Sequence, residues 1–308
     1  MTESLKNPFL GLGMMSSFTS FSREKVVSGI DCETLPAGRY IEFSGRKQLD
    51  VSSKETYPTG VFVGDSGNKL YTVGQSGDGL DQWALSTPWD PSTGTWEYFY
   101  STVGTDFSAG DTFFSSDGTK FYFVGDVWDK VYEFHMSTAW NISTASYDSD
   151  FSLGTANNVK YPVGLTFSPD GVYMFVYATQ TKNLSRWTLS TPWDISTAGS
   201  KSTSSFSSGK VDTYASAGIA FAADGKRLVI ATSGGPGDKL IEYSLGTAWN
   251  VTTTSFISEI GFSAHQNYAT GCCWGNNGQY LYVCGSNPDT VDRYETCSAG
   301  HYKLFGRP

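Results

Sequence analysis

The sequence of 308 residues has little histidine, little cysteine and no extended basic run. Its three histidines, His135, His265 and His301, lack metal-ligand spacing, and no Gly-x-Ser-x-Gly nucleophile motif occurs. The longest basic run is Arg46-Lys47 and the net charge is −9, which argues against nucleic acid, because phosphate backbones are bound by clustered Lys and Arg. We therefore expect no metal, no cofactor and no nucleic-acid partner.

Long hydrophobic runs and paired cysteines are also missing. The apolar residues 8–15 are too few to cross a bilayer, and the segment makes a poor signal peptide, so we expect no membrane insertion. The five cysteines include no Cys-x-x-Cys pair; Cys272, Cys273 and Cys284 fall in predicted strands and are expected to be small core residues. Cys32 and Cys297 lie near the two ends, and a disulfide between them stays open.

Apolar residues make up 39% of the chain and aromatic residues 15%, which is enough for a large core, while charged residues are only 17%. The content of Ser, Thr and Gly is typical of short strands joined by tight turns. One pattern recurs five times, and its turn glycines are spaced by 51, 53, 54 and 53 residues: Gly67, Gly118, Gly171, Gly225 and Gly278.

Copies one to four each contain four strand patterns, and the fifth contains the first three. The first two flank the turn glycine as a hairpin, and the third carries an aliphatic residue three positions before an aromatic one. The fourth is less regular: Trp96 to Tyr100, Ser146 to Phe151, Thr203 to Phe206 and Ser255 to Phe262. Four antiparallel strands at a period of about 50 residues predict an all-β fold, a five-bladed β-propeller of four-stranded antiparallel blades.

The ends of the chain predict how the ring closes. The fifth copy has no fourth strand of its own, whereas residues 47–53 precede the first copy at the place of such a strand. We predict that this N-terminal strand completes the last blade; alternatively, the similar segments 33–40 and 295–302 pair with each other. The predicted divisions are an N-terminal arm (1–22), a short β extension (23–45) and the propeller (46–308).

Two sets of aromatic residues recur in the copies. Trp89, Trp140, Trp193 and Trp249 each follow the third strand and precede Asp or Asn, and we expect them to fill gaps between blades while the polar residue caps the turn. A second set precedes the first strand, which lines the channel of a propeller: Tyr57, Phe107, Tyr161, Tyr214 and Tyr268.

The second set forms the predicted ligand-binding site, at one mouth of the channel. Aromatic faces there can stack on sugar rings or hold a partner's side chain, whereas the structural alternative is packing between blades. The loops between the second and third strands open on the same face and vary in length and sequence, as binding loops do. Trp128 is the loop residue most suited to contact a ligand, although it can also fold back onto its own blade.

No catalytic residue is predicted. Most acids belong to turns, but Asp106, Asp111 and Asp212 lie near the predicted mouth. They are the only candidates for the paired carboxylates of a glycosidase, the alternative in which the protein cleaves surface polysaccharide.

The repeat resembles those of uncharacterised propeller proteins from marine bacteriophages and marine bacteria, through segments such as LSTPWD at 85–90 and LSTPWDISTA at 189–198. The resemblance covers residues 47–298 and implies a virion component of the tail or capsid surface, which attaches to a host glycan or protein or serves particle assembly. The arm would either be disordered or dock on other virion proteins. A bacterial surface or periplasmic scaffold is the remaining alternative.

Overall fold

The computed structural model describes residues 46–154, 157–206, 217–233, 238–261 and 268–296. Within these ranges, 20 strands form five antiparallel sheets of four strands each and no α-helix occurs. None of the short helical turns in these ranges has the length and apolar character needed to cross a membrane. The predicted five-bladed β-propeller is confirmed.

The five blades take their strands from successive segments of the chain. Blades 1 and 2 contain β2 (Pro58–Gly64), β3 (Lys69–Gly74), β4 (Gly79–Leu85), β5 (Gly94–Ser101), and β6 (Ala109–Phe114), β7 (Lys120–Gly125), β8 (Lys130–Met136), β9 (Ala145–Ser152). Blades 3 and 4 contain β10 (Pro162–Phe167), β11 (Tyr173–Ala178), β12 (Asn183–Leu189), β13 (Ala198–Ser205), and β14 (Ala217–Phe221), β15 (Arg227–Thr232), β16 (Lys239–Leu245), β17 (Thr254–Gly261). Blade 5 contains β18 (Tyr268–Gly275), β19 (Tyr280–Ser286), β20 (Thr290–Glu295) and β1 (Lys47–Asp50).

Blade 5 closes the ring as predicted, because β1 from the start of the described chain is its outer strand. Lys47 pairs with Arg293 and Asp50 with Thr290 in an antiparallel register. The Arg46 side chain adds an ion pair to Asp292, with 2.9 Å between Nε and Oδ1. The arm, the β extension, Cys32 and Cys297 lie outside the described residues, so the alternative pairing of 33–40 with 295–302 stays untested.

Two faces of the ring follow from the strand order. The first strand of each blade lines the axis, and the fourth is outermost. We call lower the face that carries the turns between first and second and between third and fourth strands. The upper face carries the loops between second and third strands and the links into each next blade.

The repeated tryptophans lie in the lower turns of blades 1 to 4. This location confirms the structural role expected for them. Each adopts a positive φ between 61° and 66° and packs its ring on the turn glycine of its own blade. A Cβ added to Gly118 would come within 2.2 Å of the Trp140 ring, so only glycine fits there. The next Asp or Asn caps the following 3₁₀ turn, as Asp194 does by accepting from Ser196 N–H at 3.0 Å.

The tryptophan turns also join neighbouring blades. The backbone carbonyl oxygens of Trp140 and Trp193 accept hydrogen bonds from Tyr71 and Tyr122 of the preceding blades, at 2.7 and 2.6 Å. In blade 3 a phenylalanine takes the tyrosine position, and Arg186 instead donates to the Trp249 carbonyl at 2.9 Å. Blade 5 donates to the turn of blade 1 through Tyr282, which bonds the Trp89 carbonyl oxygen at 2.7 Å.

The interface between blades 4 and 5 lacks this connection, because the third strand of blade 5 is followed by no tryptophan turn within the described residues. Its core is built largely from small side chains: Ala220, Val229, Ala231, Ala269 and Cys272. The cores shared by blades 1 and 2 and by blades 2 and 3 contain many more aromatic rings. Cys272, Cys273 and Cys284 are buried and unpaired, which confirms their role as small core residues.

Candidate functional site

Glycines bring the inner strands close together on the upper part of the axis. The pairing of each inner strand with the second strand of its blade defines equivalent positions in the five blades. One of these positions is occupied by Gly60, Asp111, Gly164, Gly218 and Gly271. A Cβ on Gly218 would come within 2.5 Å of the Gly271 Cα atom, and one on Gly271 within 2.7 Å of the Gly60 Cα atom. The backbones of neighbouring inner strands therefore pack directly against each other, with no room for a side chain between them.

Asp111 is the one member of this ring with a side chain. Its carboxylate accepts from Thr112 N–H at 2.9 Å and, across the blade boundary, from Leu165 N–H at 3.0 Å. The residue is only 1% exposed, and this burial raises its pKa well above the usual value, although both hydrogen bonds oppose the shift. The carboxyl thus joins blades 2 and 3 and is closed to solvent.

The other acids proposed for a glycosidase do not complete an open pair among the described residues. Asp106 is fully buried and accepts from the backbone N–H groups of Ser108 and Trp128 at 3.1 and 3.2 Å. It therefore fastens an upper loop to the link before blade 2. Asp212 lies outside the described residues.

The predicted aromatic ring does not occupy one shared position. In three blades, the first residue of the loop between the second and third strands donates its N–H to a backbone carbonyl oxygen. That oxygen belongs to the residue just before the inner strand: Tyr57, Ser108 and Tyr161. Phe107 is therefore one residue early, and serine stands at its expected place. Tyr268 pairs with Ser286 at the corresponding position of blade 5, whereas Tyr214 lies outside the described residues.

The described aromatic residues of the predicted site reach the surface of the upper face. The exposed fractions are 50% for Phe107, 47% for Tyr161, 49% for Tyr268 and 60% for Trp128, while Tyr57 is half-buried. The exposed tryptophan extends from the blade 2 loop and does not fold away. About half or more of each of these four side chains is therefore open to solvent.

Tyr57 and Tyr268 come together in one cleft of about 540 Å³ at the junction of blades 5 and 1. Every other lining residue is polar except one proline: Gln48, Asp50, Ser52, Thr56, Ser286, Asn287, Pro288, Asp289 and Thr290. The cleft thus combines two phenol rings, two carboxylates and several amide or hydroxyl groups. Its volume lies within the usual range of small-ligand sites.

A buried carboxylate that sequence reasoning did not identify holds the link that brings Tyr57 to this cleft. Glu55 is 2% exposed and accepts from the N–H groups of Tyr57, Ser76 and Gly77 at 2.7, 3.1 and 2.9 Å. It ties the link before blade 1 to the neighbouring loop, so it positions the Tyr57 backbone. At the rim, hydrogen bonds from the Ser52 hydroxyl and N–H lower the pKa of Asp50, which keeps this carboxylate ionised at neutral pH.

The polar lining was also missed, because it forms only when the ring closes. Gln48 and Asp50 belong to the N-terminal strand, whereas Asn287 and Asp289 follow β19 near the other end of the chain. The pairing of β1 with β20 brings these two segments side by side. The closure prediction, combined with the position of Tyr268, is the sequence signal that could have located the cleft.

No protein-family model matches this chain, and no curated protein matches its sequence. A luciferin-regenerating enzyme of known structure is similar over 82% of this chain and 95% of that one, with a TM-score of 0.50 and 11% identity. A candidate 6-phosphogluconolactonase from Bacteroides uniformis is 15% identical over 72% of this chain, with a TM-score of 0.45; this chain spans 62% of its length. A periplasmic gluconolactonase from Pseudomonas aeruginosa is 14% identical over 77% of this chain and 66% of that one, with a TM-score of 0.46. At these identities the likeness shows the fold alone.

Proposed function

We propose that this propeller is a non-enzymatic binding module that holds a glycan in the cleft between Tyr57 and Tyr268. The observation that carries the proposal is the presence of two tyrosine rings in one cleft whose remaining lining is polar. Sugar rings present apolar C–H faces and a rim of hydroxyls, so they need both components. The phenol rings supply the stacking faces, and the carboxylates and amides supply hydrogen bonds to hydroxyls.

Support for a fixed, preformed site comes from its surroundings. Tyr57 lies on a link held by the three hydrogen bonds to Glu55, and Tyr268 belongs to β18, where it pairs with Ser286 of β19. Asp50 and Gln48 belong to a strand that is paired with β20. A preformed site loses little conformational entropy when its ligand binds, which favours affinity.

The resemblance of the repeats to marine phage proteins leads us to propose that the module acts at a virion surface, on the tail or capsid. Attachment to a host glycan is then its role, with residues 1–22 contacting other virion proteins. Mass spectrometry of purified particles tests this location. We expect the protein in the particles; recovery solely from the bacterial envelope would favour the alternative of a bacterial surface scaffold.

A glycan array tests the binding role. The full chain is compared with a Tyr57→Ala/Tyr268→Ala double variant and with a matched Tyr98→Ala/Tyr147→Ala control, whose two tyrosines are exposed on outer strands. We expect the cleft variant to lose binding by roughly thirtyfold, about 2 kcal/mol, as for a central aromatic contact, and the control to bind normally. Equal binding by all three proteins would remove the cleft from the proposal, and hydrolysis of any bound glycan would contradict the non-enzymatic role.

A further inference from the structure

The opposite, lower mouth of the channel opens into an apolar cavity of about 340 Å³ that the proposed function does not use. The lower halves of all five inner strands form its wall, with side chains that include Phe62, Phe113, Phe167, Phe221 and Trp274. Three of the repeated tryptophans, Trp140, Trp193 and Trp249, also contribute. Alanine and cysteine at Ala220 and Cys273 leave room between the larger side chains.

The wall of this cavity is held by ring packing and by a hydrogen bond between blades. The centroid of the Trp193 ring lies 5.5 Å from that of the Phe167 ring and 6.4 Å from that of the Phe113 ring. The backbone carbonyl oxygen of Trp193 accepts a hydrogen bond from the Tyr122 hydroxyl. Several wall residues are only half-buried, including Phe62 and Phe113. A preformed apolar pocket of this kind favours a ligand that presents aromatic, aliphatic or thioether groups.

The described chain begins on the same face. β1 runs antiparallel to β20, which descends from the upper face, so Lys47 is at the lower end of the outer strand of blade 5. Arg46 therefore enters the fold from the lower face, and 45 residues precede it in the sequence. These residues include PFLGLGMM at 8–15, the apolar stretch of the arm.

We propose that residues 8–15 of the same chain occupy the lower-mouth cavity, which leaves residues 1–7 and 16–22 of the arm for the proposed contacts with other virion proteins. The segment offers one phenylalanine, two leucines and two methionines, which are the groups that the cavity walls favour. Methionine sulfur packs well against aromatic rings, and the cavity is walled by both phenylalanine and tryptophan. This docking concerns a different face from the glycan cleft and does not depend on it.

The charge around the mouth agrees with this occupant. Asp65 lines the mouth, and Asp117, Asp170 and Asp224 lie in the corresponding turns, each adjacent to a lining residue. Lys6 lies two positions before Pro8, the first residue of the apolar segment. Its ammonium would approach this acidic rim when residues 8–15 enter the cavity.

Chain length permits the contact and favours the same molecule over a second copy. Three strand spacings separate β1 from the inner strand of its blade, roughly 14 Å at about 4.8 Å each. The 30 residues from 16 to 45 reach up to about 100 Å when fully extended, so they span this distance easily. A tether of this length gives an effective concentration on the order of a millimolar, far above a dilute solution of separate molecules.

Photo-crosslinking of the full chain at low micromolar concentration tests the proposal. Phe9 is replaced by p-benzoylphenylalanine, and products are mapped by mass spectrometry, with the same probe at Tyr98 as an off-site control. We expect crosslinks within one chain from position 9 to the peptides that line the lower mouth. The probe at Tyr98, on an outer strand, is expected to give none of these products.

Two cavity variants sharpen the result. Ala220→Phe fills the cavity, and Ala223→Lys places a positive charge on its exposed rim, away from the core; thermal unfolding checks that both fold. We expect each variant to reduce the specific crosslink by about tenfold or more, because the first occupies the space of the apolar segment and the second repels Lys6 from the rim. Crosslinks to other surfaces, unchanged yields in the folded variants, or a product of twice the chain mass would overturn docking within the same chain.

Discussion

On the lower face, four blades repeat one tryptophan turn, whereas on the upper face neighbouring blades present different side chains at equivalent positions. Trp140 and Trp193 pack on their turn glycines and accept the same type of hydrogen bond from the preceding blade. At the start of the inner strands, by contrast, Tyr57 and Tyr161 alternate with Ser108. Repetition thus marks where blades are joined, and variation marks the face that we propose binds a ligand.

Removing a repeated tryptophan should produce the largest effect. Trp193→Ala removes the ring that packs on Gly171 and Phe167, and we expect a loss of about 3 kcal/mol in the free energy of unfolding. The matched Trp128→Ala variant alters a 60% exposed tryptophan of the upper face and should cost less than about 0.5 kcal/mol. Chemical denaturation measures both; similar losses would contradict the division between the faces.

Asp111 lies at the axis, where blade 2 has a carboxyl side chain at the position that is glycine in the other four blades. Its burial raises the pKa of the folded state above that of the unfolded state, so the group contributes most at low pH and its contribution falls as pH rises. Asp111→Asn removes this titration while keeping a side-chain oxygen for the Leu165 N–H. The stability of the natural chain relative to this variant should therefore rise as the pH is lowered from neutral toward about 4, the ordinary pKa of an aspartate, by about 1.4 kcal/mol per unit of pKa difference.

Denaturation curves for both proteins across this pH range provide the measurement. Groups that titrate in both proteins cancel in the difference between them, including Asp50 and Asp117, whose hydrogen bonds lower their pKa values. A pH-independent difference, or one that falls toward acid, would contradict the buried position of Asp111.

A smaller effect is expected at the hydrogen bond between blades 1 and 2. Tyr71→Phe removes the hydroxyl that donates to the Trp140 carbonyl oxygen, and we expect a loss of about 1 kcal/mol in the free energy of unfolding. Tyr177→Phe is the matched control, because the Tyr177 hydroxyl is buried without a hydrogen-bond partner among the described residues. Equal costs for the two variants would mean that the lower-face connection does not stabilise the ring.

The smallest expected effect is a local difference between interfaces. The core between blades 4 and 5 is built from small side chains and lacks a tryptophan turn in the described part of blade 5. Hydrogen exchange should therefore show lower protection in β14 and β18 than in β6 and β10, which adjoin the aromatic-rich cores. Uniform protection of all inner strands would show that small residues pack this interface equally well.

The fold could be predicted because the signals repeat. Turn glycines, alternating strands and the Trp-Asp element each occur in several copies, and the unmatched residues 47–53 predicted ring closure. The first and last residues of the outer strands were predicted less accurately. For example, β13 spans Ala198–Ser205, whereas the sequence pattern indicated Thr203 to Phe206. Its sequence is small and polar because the strand is exposed on its outer side, so hydrophobic alternation gives no signal there.

The candidate site was only partly predictable. Tyr57 and Tyr268 were selected correctly as upper-face residues, but Phe107 was assigned one position too early. An extra residue interrupts the pairing of four inner strands, as between Ala109 and Asp111, and the link before it varies in length. The polar partners of the tyrosines come from opposite ends of the described chain, so local spacing could not associate them.

The most direct test of the division between the faces is a titration of a glycan selected on the array against three full-length proteins. These are the natural chain, the Tyr57→Ala/Tyr268→Ala variant of the upper cleft and the Ala223→Lys variant of the lower rim. We expect affinity to fall by roughly thirtyfold in the upper-cleft variant and to stay unchanged in the lower-rim variant. Retained affinity in the first together with lost affinity in the second would assign glycan binding to the opposite face and contradict the proposal.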